Sequence, residues 1–248
     1  MDLLERSSSH TSRHPWEVAR SRFFLRLLLR LAPNQSPANL LDVGSGDAWL
    51  AQQVADTLPM PAHVTCWDAN YSPDDLVPHT SLLFTKERPV GTFDGVLMLD
   101  VIEHIEDDRA FVADVVSTCM DARSWALVSV PAYQRLYTSH DMALRHFRRY
   151  SPKECARLLH RAGLEVQVQG GLFHALLAAR SAQKVREYLS GSGNSNGVGA
   201  WEGGPFITRA LTAALDTESK ISLALGTHAK TIVPGLSYWA FCRKVAHA

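Results

Sequence analysis

The chain of 248 residues is poor in cysteine, has a formal net charge of zero and lacks a long apolar run. Its cysteines form no C-x-x-C pair, which disfavours a disulfide framework and a zinc site. We expect buried thiols in a reducing compartment at all four positions, Cys66, Cys119, Cys155 and Cys242. The absence of a basic surplus disfavours a general nucleic-acid binder.

Signals for membrane insertion and secretion are also missing from the sequence. No uninterrupted apolar stretch is long enough to span a bilayer. Charged residues interrupt every apolar run near the N-terminus, so no signal peptide is predicted. We therefore expect a cytoplasmic protein with no stable membrane insertion.

What the sequence does contain is a strand, a glycine turn and a helix within N-L-L-D-V-G-S-G-D-A-W-L-A, residues 39–51. The apolar residues of 40–43 predict a short buried strand, and Gly44, Ser45 and Gly46 predict a tight turn. A helical pattern begins near Ala48. A nucleotide-type ligand binds against the N-terminus of such a helix.

The side chains of this turn favour one ligand over another. Trp49 occupies the position where a dinucleotide fingerprint requires a small residue. Asp47 in the turn and Asp42 in the strand add two carboxylates that would repel a diphosphate. Two acids and two glycines suit a ligand with a cationic end and no phosphate, which describes S-adenosylmethionine.

A third acid lies about twenty residues beyond the turn, where a ribose-binding carboxylate is expected. It is Asp68, at the end of a second predicted strand over 63–67. The structural alternative is a strand-end acid that caps the next turn.

These residues carry a family resemblance. The run L-L-D-V-G-S-G-D resembles the first motif of class I S-adenosylmethionine-dependent methyltransferases. The run G-T-F-D-G-V-L-M-L-D-V-I-E-H-I-E-D-D, residues 91–108, resembles the fourth motif of their small-molecule branch, which includes the quinone-biosynthesis O-methyltransferases.

The resemblance implies an α/β fold with a doubly wound, seven-stranded, mostly parallel Rossmann-like sheet and an antiparallel last strand. We expect this domain over 39–169 and 236–248, an N-terminal tail and helix over 1–38, and a helical insertion over 170–235. It also implies S-adenosylmethionine as cofactor, S-adenosylhomocysteine as product, and cofactor binding by Asp42, Gly44, Ser45, Gly46, Asp68, Ala69, Leu99 and Asp100.

Catalytic candidates follow the predicted fourth strand, since open parallel sheets bind ligands at the carboxyl ends of their strands. His104 is the first candidate for a base that removes a proton from the acceptor. The structural alternative is that His104 caps a helix. A further alternative is a metal site made by Asp100, Glu103 and His104. Our primary expectation is that the protein binds no metal.

A polar, aromatic loop over 132–150 supplies further candidates, because loops beside a binding crevice usually determine specificity. We expect catalytic roles for His140 and His146. Substrate contacts are expected from two sources, the loop and the N-terminal helix, with the residues Tyr133, Arg149, Tyr150, Trp16 and Arg20. The alternatives are salt bridges and solvation for the loop residues, and packing against the sheet for the helix.

The sequence therefore predicts methyl transfer to a small-molecule acceptor, with oxygen favoured in the form of a phenol, enol or hydroxyl. Carbon or nitrogen acceptors on a small or lipid-linked substrate are the alternative. A nicotinamide-dependent oxidoreductase and a non-catalytic binding module are less favoured. The helical insertion is expected to cover the pocket, to form a homodimer contact or to touch a membrane-held substrate, and its glycine- and serine-rich segment 190–205 is expected to be flexible.

Overall fold

The computed structural model of the chain describes residues 13–32, 38–58, 62–76, 79–190, 203–226 and 233–245. It contains seven strands: β1 (Ala38–Val43), β2 (Ala62–Trp67), β3 (Leu82–Thr85), β4 (Phe93–Leu99), β5 (Met120–Pro131), β6 (Leu164–Leu172) and β7 (Ser237–Lys244). Seven α-helices accompany them: α1 (Pro15–Leu31), α2 (Trp49–Thr57), α3 (Asp108–Cys119), α4 (Ser139–Ala143), α5 (Pro152–Arg161), α6 (His174–Ser190) and α7 (Pro205–Gly226).

The strands form one sheet in the order β3-β2-β1-β4-β5-β7-β6. The pairs among β1 to β5 are parallel, and β7 is antiparallel to both β5 and β6. The predicted Rossmann-like methyltransferase sheet is therefore confirmed. The carboxyl ends of β1, β2, β4 and β5 meet at one edge, where an open sheet of this kind binds its ligands.

Buried apolar residues cover both faces of the sheet. On one face, Phe23 of α1 packs edge-to-face against Trp239 of β7, with ring centroids 5.6 Å apart. Helices α2 and α7 add to the same core. On the other face, α3 and α5 pack against the central strands through residues such as Val112 and Leu159. Because α1 lies in the first of these layers, the packing interpretation accounts for most of its apolar residues.

Local signals explain where several elements begin. The hydroxyl of Ser151 accepts a hydrogen bond from the Glu154 amide at 3.3 Å, and the Glu154 carboxylate accepts one from the Ser151 amide at 2.9 Å. This is the capping box that the sequence predicts at the start of α5. Proline at the first helical position starts both α1 and α5, where its fixed φ suits the helix and its missing N–H costs nothing.

The chain between β6 and β7 contains α6 and α7. Leu172 at the end of β6 is the register partner of Ser237 at the start of β7, so the chain leaves and rejoins the sheet at one point. Helix α7 packs on α1, where Arg26 and Asp216 form an ion pair at 2.6 Å. Most of the predicted flexible segment 190–205 lies outside the described residues. Among the helices that the structure describes, none is long and apolar enough to cross a membrane.

Candidate active site

The turn after β1 requires glycine at two positions. Gly44 and Gly46 have φ values of +63° and +55°, in the left-handed region that glycine adopts at little cost. The Gly44 backbone also lies close to Val101 after β4, since a Cβ at Gly44 would stand 2.7 Å from Val101 Cγ2. The turn is thereby packed directly against the segment that leads to Glu103 and His104.

Every amide of Gly44, Ser45 and Gly46 is already bonded within the protein. The amides of Gly44 and Ser45 donate to the Trp67 carbonyl at 2.7 and 3.2 Å, and that of Gly46 donates to Asp68 Oδ2 at 3.0 Å. None of these three amides is therefore available to donate a hydrogen bond to a diphosphate. This disfavours a dinucleotide for a reason that the sequence alone did not reveal.

The expected repulsion by Asp47 needs a correction. Arg13 Nη2 lies 2.6 Å from Asp47 Oδ2, so the charge of this carboxylate is compensated. The same guanidinium lies over the ring of Trp49, 4.2 Å from its centroid. Occupied amides, rather than the acidity of Asp47, therefore distinguish this turn from a phosphate-binding loop.

Asp68 and Asp42 are two buried acids next to this turn. The buried Asp68 carboxylate accepts hydrogen bonds from the amides of Gly46 and Asn70, the latter at 2.9 Å, so it also caps its own turn. An ionised carboxylate has about four acceptor positions, which leaves capacity for ribose hydroxyls. Burial raises the pKa of Asp42 to about 7, and the nearby charge of Asp68 acts in the same direction. Carboxylates without a free amide nest fit an adenosyl ligand with a cationic end.

The remaining predicted cofactor residues lie around these groups. Ser45 is buried, and its hydroxyl lies 2.8 Å from the Tyr71 hydroxyl. Ala69 is exposed at the end of β2. Leu99 is buried at the end of β4, and Asp100 follows it with φ +58°.

The carboxylate of Asp100 is held from two sides. Its Oδ1 accepts a hydrogen bond from the Ser129 hydroxyl at 2.9 Å, and its Oδ2 lies 2.8 Å from Nη2 of Arg20. Helix α1 therefore reaches the ligand-binding edge of the sheet. Trp16 of the same helix lies edge-to-face against Phe173, with ring centroids 6.5 Å apart.

Three side chains beyond β4 form a compact cluster. One ligand atom each from Glu103, His104 and His146 lies within 4.8 Å of the others, and the two imidazole rings are 4.6 Å apart. Among the described residues, Glu103 and His104 of the alternative metal set are thus grouped with His146 and not with Asp100. Asp100 is bound to Ser129 and Arg20, and His146 from the loop stands in the group instead.

Glu103 is completely buried in this cluster. Neither of its carboxylate oxygens forms a hydrogen bond within the described part of the chain. Burial raises the pKa of Glu103 well above its usual range, and the charge of Asp100 acts in the same direction. A protonated Glu103 avoids the cost of an isolated buried charge.

The loop contributes a carboxylate–imidazole pair. His146 Nδ1 lies 3.1 Å from Oδ1 of Asp141, whose side chain has no solvent exposure. Thr138 and Arg149 donate to the same carboxylate through the Thr138 amide and Arg149 Nε, both at 2.8 Å. Although burial opposes ionisation, the hydrogen bonds of His146 and Arg149 hold the pKa of Asp141 well below its usual range. The ionised carboxylate accepts hydrogen bonds only, so His146 donates through Nδ1 and its Nε2 is left as a basic nitrogen.

Two of the expected substrate-binding residues are engaged inside the protein. Arg149 is buried, with Nε on Asp141 and Nη1 donating to the Ala132 carbonyl at 3.2 Å. The buried Tyr150 hydroxyl donates to Asp108 Oδ2 at 2.6 Å. The structural interpretation therefore fits both residues better than a substrate contact does.

The other loop candidates differ in their surroundings. Tyr133 has φ +62°, and its amide donates to the Tyr150 carbonyl at 2.9 Å, so a strained residue begins the loop at the sheet edge. Burial and the charge of Arg180 lower the pKa of His140 to about 4, so this imidazole is neutral at physiological pH. His140 does not belong to the compact cluster formed by the described residues.

Sequence reasoning omitted Asp141, Thr138 and Arg180 from the site. Thr138 and Asp141 form a capping box at the start of α4, with the T-x-x-D spacing that could have drawn attention to this carboxylate. Arg180 lies 42 residues from Thr138 in the sequence, and no local signal connects them.

Comparisons with known proteins agree with this fold. The profile of a family described as "Methyltransferase domain" matches residues 16–169. That span includes the glycine turn, Asp68, the Glu103–His104 segment and the loop with His146. No curated protein gives a significant match.

Solved structures share the fold at low sequence identity. A chain of the complex between the Haloferax volcanii Trm112 methyltransferase activator and a methyltransferase aligns with 94% of this chain and 96% of its own, at 14% identity and a TM-score of 0.54. A chain from Bacillus halodurans C-125, described as a methyltransferase, aligns over 90% and 99%, at 13% identity and a TM-score of 0.53. The (4+2)-cyclase SpnF aligns over 98% and 86%, at 14% identity and the same TM-score. The fold by itself therefore does not fix the reaction.

Proposed function

This chain belongs to the methyltransferase domain family, and we propose that it transfers a methyl group from S-adenosylmethionine to an oxygen of a small-molecule acceptor. S-Adenosylmethionine is the cofactor consistent with the family and the fold. The observation that carries the choice of oxygen is the imidazole of His146, held by the buried carboxylate of Asp141. A hydroxyl acceptor has a proton to lose, and this imidazole is built to accept one.

Residues of the turn and the neighbouring strand would hold the cofactor. Asp68 would accept hydrogen bonds from the ribose hydroxyls, and Asp42 would face the cationic end of the ligand. Ala69 would border the adenine, while Leu99 and Asp100 would line the other side. When bound, S-adenosylmethionine would supply a methyl group on a positively charged sulfur, and transfer of that group breaks the carbon–sulfur bond and leaves the neutral thioether S-adenosylhomocysteine.

The protein's own contribution is to position the acceptor and to remove its proton. Nε2 of His146 would take up the proton of the acceptor hydroxyl. The imidazolium that results is stabilised by the ionised Asp141 at Nδ1, and it then releases the proton to solvent. His104, whose ring lies against that of His146, is the second histidine available to the acceptor.

The alternative reactions are disfavoured by particular contacts. A nicotinamide cofactor carries a diphosphate, and the amides of Gly44, Ser45 and Gly46 are occupied. A carboxylate-held imidazole grouped with Glu103 and His104 favours catalysis over a non-catalytic binding module. Carbon or nitrogen acceptors remain the alternative that product analysis decides, and a homodimer contact through the insertion stays a prediction.

Calorimetry on the purified protein tests the cofactor assignment. We expect S-adenosylmethionine and S-adenosylhomocysteine to bind and NADH to give no heat. Asp68→Ala should weaken both adenosyl ligands by about 10²-fold, in line with the loss of charge-assisted hydrogen bonds. The control is Asp56→Ala, which removes an exposed carboxylate bonded only to Gln52 among the described residues. Saturation by NADH, with no heat from either adenosyl ligand, would overturn the proposal.

Product analysis tests the acceptor. The enzyme is incubated with methyl-labelled S-adenosylmethionine and fractionated small molecules from a cell extract, and labelled products are identified by mass spectrometry. An O-methyl ether or ester is the expected product. A labelled N-methyl or C-methyl product would move the assignment to the alternative acceptor class.

A further inference from the structure

Helix α6 of the insertion forms hydrogen bonds with the loop that carries the proposed catalytic histidine. Arg180 Nη1 donates a hydrogen bond to Thr138 Oγ1 at 3.0 Å, and Arg180 Nη2 lies 3.9 Å from Asp141 Oδ2. One turn further along the helix, Lys184 Nζ donates to the Tyr137 carbonyl. Two cationic side chains of one helix therefore hold two consecutive loop residues, 137 and 138.

The same two loop residues hold the Asp141–His146 pair. The amide and the hydroxyl of Thr138 donate to Asp141 Oδ2 at 2.8 and 3.3 Å. The Tyr137 hydroxyl donates to the main-chain carbonyl of His146 at 2.6 Å. A continuous series of hydrogen bonds thus leads from α6 through Thr138 and Tyr137 to both members of the pair.

Charge supports the same connection. The fully buried Asp141 carboxylate has two guanidinium groups around it, Arg149 at 2.8 Å and Arg180 at 3.9 Å. A buried charge is tolerated only when it is paired and hydrogen-bonded. Arg149 comes from the loop itself, whereas Arg180 comes from the insertion, so part of the compensation for this carboxylate depends on where α6 lies.

The position of α6 is in turn fixed at its first residue. The ring nitrogens of His174 lie 2.6 Å from the Pro234 carbonyl and 2.7 Å from Ser222 Oγ of α7. The Ala175 amide donates to Glu218 of α7 at 3.0 Å. Helix α6 therefore runs from an anchor on α7 to a contact with the catalytic loop.

We propose that Arg180 is a positioning residue through which the helical insertion orients His146 for proton removal. Arg180 acts through Thr138 and Asp141 and does not itself touch the reacting atoms. The insertion then contributes to the orientation of the imidazole, because docking of α6 adds to the contacts that Arg149 and the Thr138 amide already make with Asp141. This inference rests on the proposed function, in which His146 is the base.

Three variants and two kinds of measurement test it. Arg180→Met removes the charge and the hydrogen bonds, and Arg180→Lys retains the charge. The control is Lys220→Ala, which removes an exposed cation of the same insertion that pairs with Asp216. The first measurement separates kcat from the affinity for S-adenosylmethionine. The second is the ¹⁵N NMR signature of the His146 imidazole, which reports the fraction of the ring protonated at Nδ1 and needs no acceptor.

We expect Arg180→Met to lower kcat about tenfold, with cofactor affinity unchanged, because small displacements of a reacting group cost this much or more. In Arg180→Met, a smaller fraction of the His146 imidazole should be protonated at Nδ1. Arg180→Lys should recover most of kcat, and Lys220→Ala should match the wild type in both measurements. Should Arg180→Met fail to fold, Lys184→Met takes its place in the comparison with Arg180→Lys, and an intermediate loss of kcat is expected for Lys184→Met.

Two results would overturn the inference. One is an Arg180→Met protein with wild-type kcat and a wild-type imidazole signature. The other is an equal loss of kcat and cofactor affinity in both Arg180 variants, which would indicate a general structural role. Failure of the proposed function looks different: the wild type would form no methylated product, while the imidazole signature would still respond to Arg180→Met.

Discussion

Nδ1 of His146 lies 3.1 Å from Oδ1 of Asp141, a carboxylate that has no contact with solvent. Arg149 and the Thr138 amide hold the same carboxylate from other directions at 2.8 Å each. An acceptor-only group fixed in this way selects one tautomer of the imidazole and one orientation of its ring. The loop therefore presents a histidine that is prepared to take up a proton before any acceptor arrives.

Removal of this imidazole should reduce turnover selectively. We expect His146→Ala to lower kcat about 10²-fold, the usual contribution of a positioned general base, and to leave the affinity for S-adenosylmethionine unchanged. Steady-state kinetics gives kcat, and calorimetry on the same preparation gives the affinity for S-adenosylmethionine. His160→Ala, an exposed histidine of α5, is the matched control. A similar loss of kcat and of cofactor affinity would instead assign His146 to the fold or to the cofactor pocket.

The ionisation of Asp141 makes stability depend on acid pH. Its pKa is lower in the folded than in the unfolded protein, so the unfolded chain binds the proton more tightly. The stabilisation is present above the unfolded pKa, about 4, and declines as the pH falls below it. The free energy of unfolding of the wild type should therefore drop between about pH 4 and pH 3.

Asp141→Asn should remove part of this dependence. Urea unfolding at pH 6 should show a less stable variant, and the difference from the wild type should shrink at pH 3. Asp121→Asn, at a partly exposed carboxylate on β5, is the control, and we expect its effect on the free energy of unfolding to be smaller. A difference between wild type and Asp141→Asn that stays constant from pH 6 to pH 3 would contradict the assignment of an ionised Asp141.

Cofactor binding should release a proton from Asp42. Burial raises the pKa of this carboxyl to about 7, so it is partly protonated at neutral pH. A cationic ligand beside it favours the ionised form and lowers that pKa. At pH 6.5 the apparent binding enthalpy should differ between phosphate and Tris buffers, since the released proton is taken up by the buffer.

Asp42→Asn should abolish this buffer dependence, because the amide cannot release a proton. Asp56→Asn, at an exposed carboxylate, should retain it. Equal proton release by the wild type and Asp42→Asn would show that another group titrates.

The raised pKa of Asp42 also affects stability, with the opposite sign to that of Asp141. Ionisation of the buried Asp42 lowers the free energy of unfolding as the pH rises from about 4, the usual pKa of an aspartate, towards 7.

The glycine turn should tolerate no Cβ at its first position. Gly44→Ala places an alanine at φ +63° and brings its Cβ within 2.7 Å of Val101 Cγ2. The backbone conformation alone costs about 1–2 kcal/mol, and the overlap adds to it. We expect a lower melting temperature and weaker binding of S-adenosylmethionine.

Gly44→Ala/Val101→Ala separates the two contributions. It should relieve the overlap and recover part of the cofactor affinity lost in Gly44→Ala, after comparison with Val101→Ala alone. The strain of the left-handed alanine remains in the double variant. A Gly44→Ala protein with wild-type stability and affinity would contradict the description of this turn.

The parts that the sequence predicts are those with short-range causes. The glycines at 44 and 46 predict a turn because few other residues adopt positive φ, and the structure has both in that region. The resemblance to class I methyltransferases implies the sheet, and the strand ends then place Asp68 and Glu103 at one edge. Ser151 and Glu154 predict the start of α5 because they satisfy each other's amides locally.

The parts that the sequence does not predict depend on contacts between distant segments. Arg13 compensates Asp47 from a position 34 residues away. Asp100 is turned by its positive φ onto Ser129 and Arg20, which removes it from the group that contains His146. Neither the pairing of Arg149 with Asp141 nor the reach of Arg180 follows from a local pattern, because both require the loop to be folded against the sheet and α6.

The adjacency of Leu172 and Ser237 in the sheet has a consequence for the evolution of this enzyme. Two antiparallel strands that end side by side need only a short β-turn to connect them. The whole excursion between them could be exchanged for another without disturbing the strands on either side. Such an exchange would keep the glycine turn and Asp68, but it would also replace Arg180 and the core leucines of α7, so a new segment would have to supply its own contacts to the loop that carries His146.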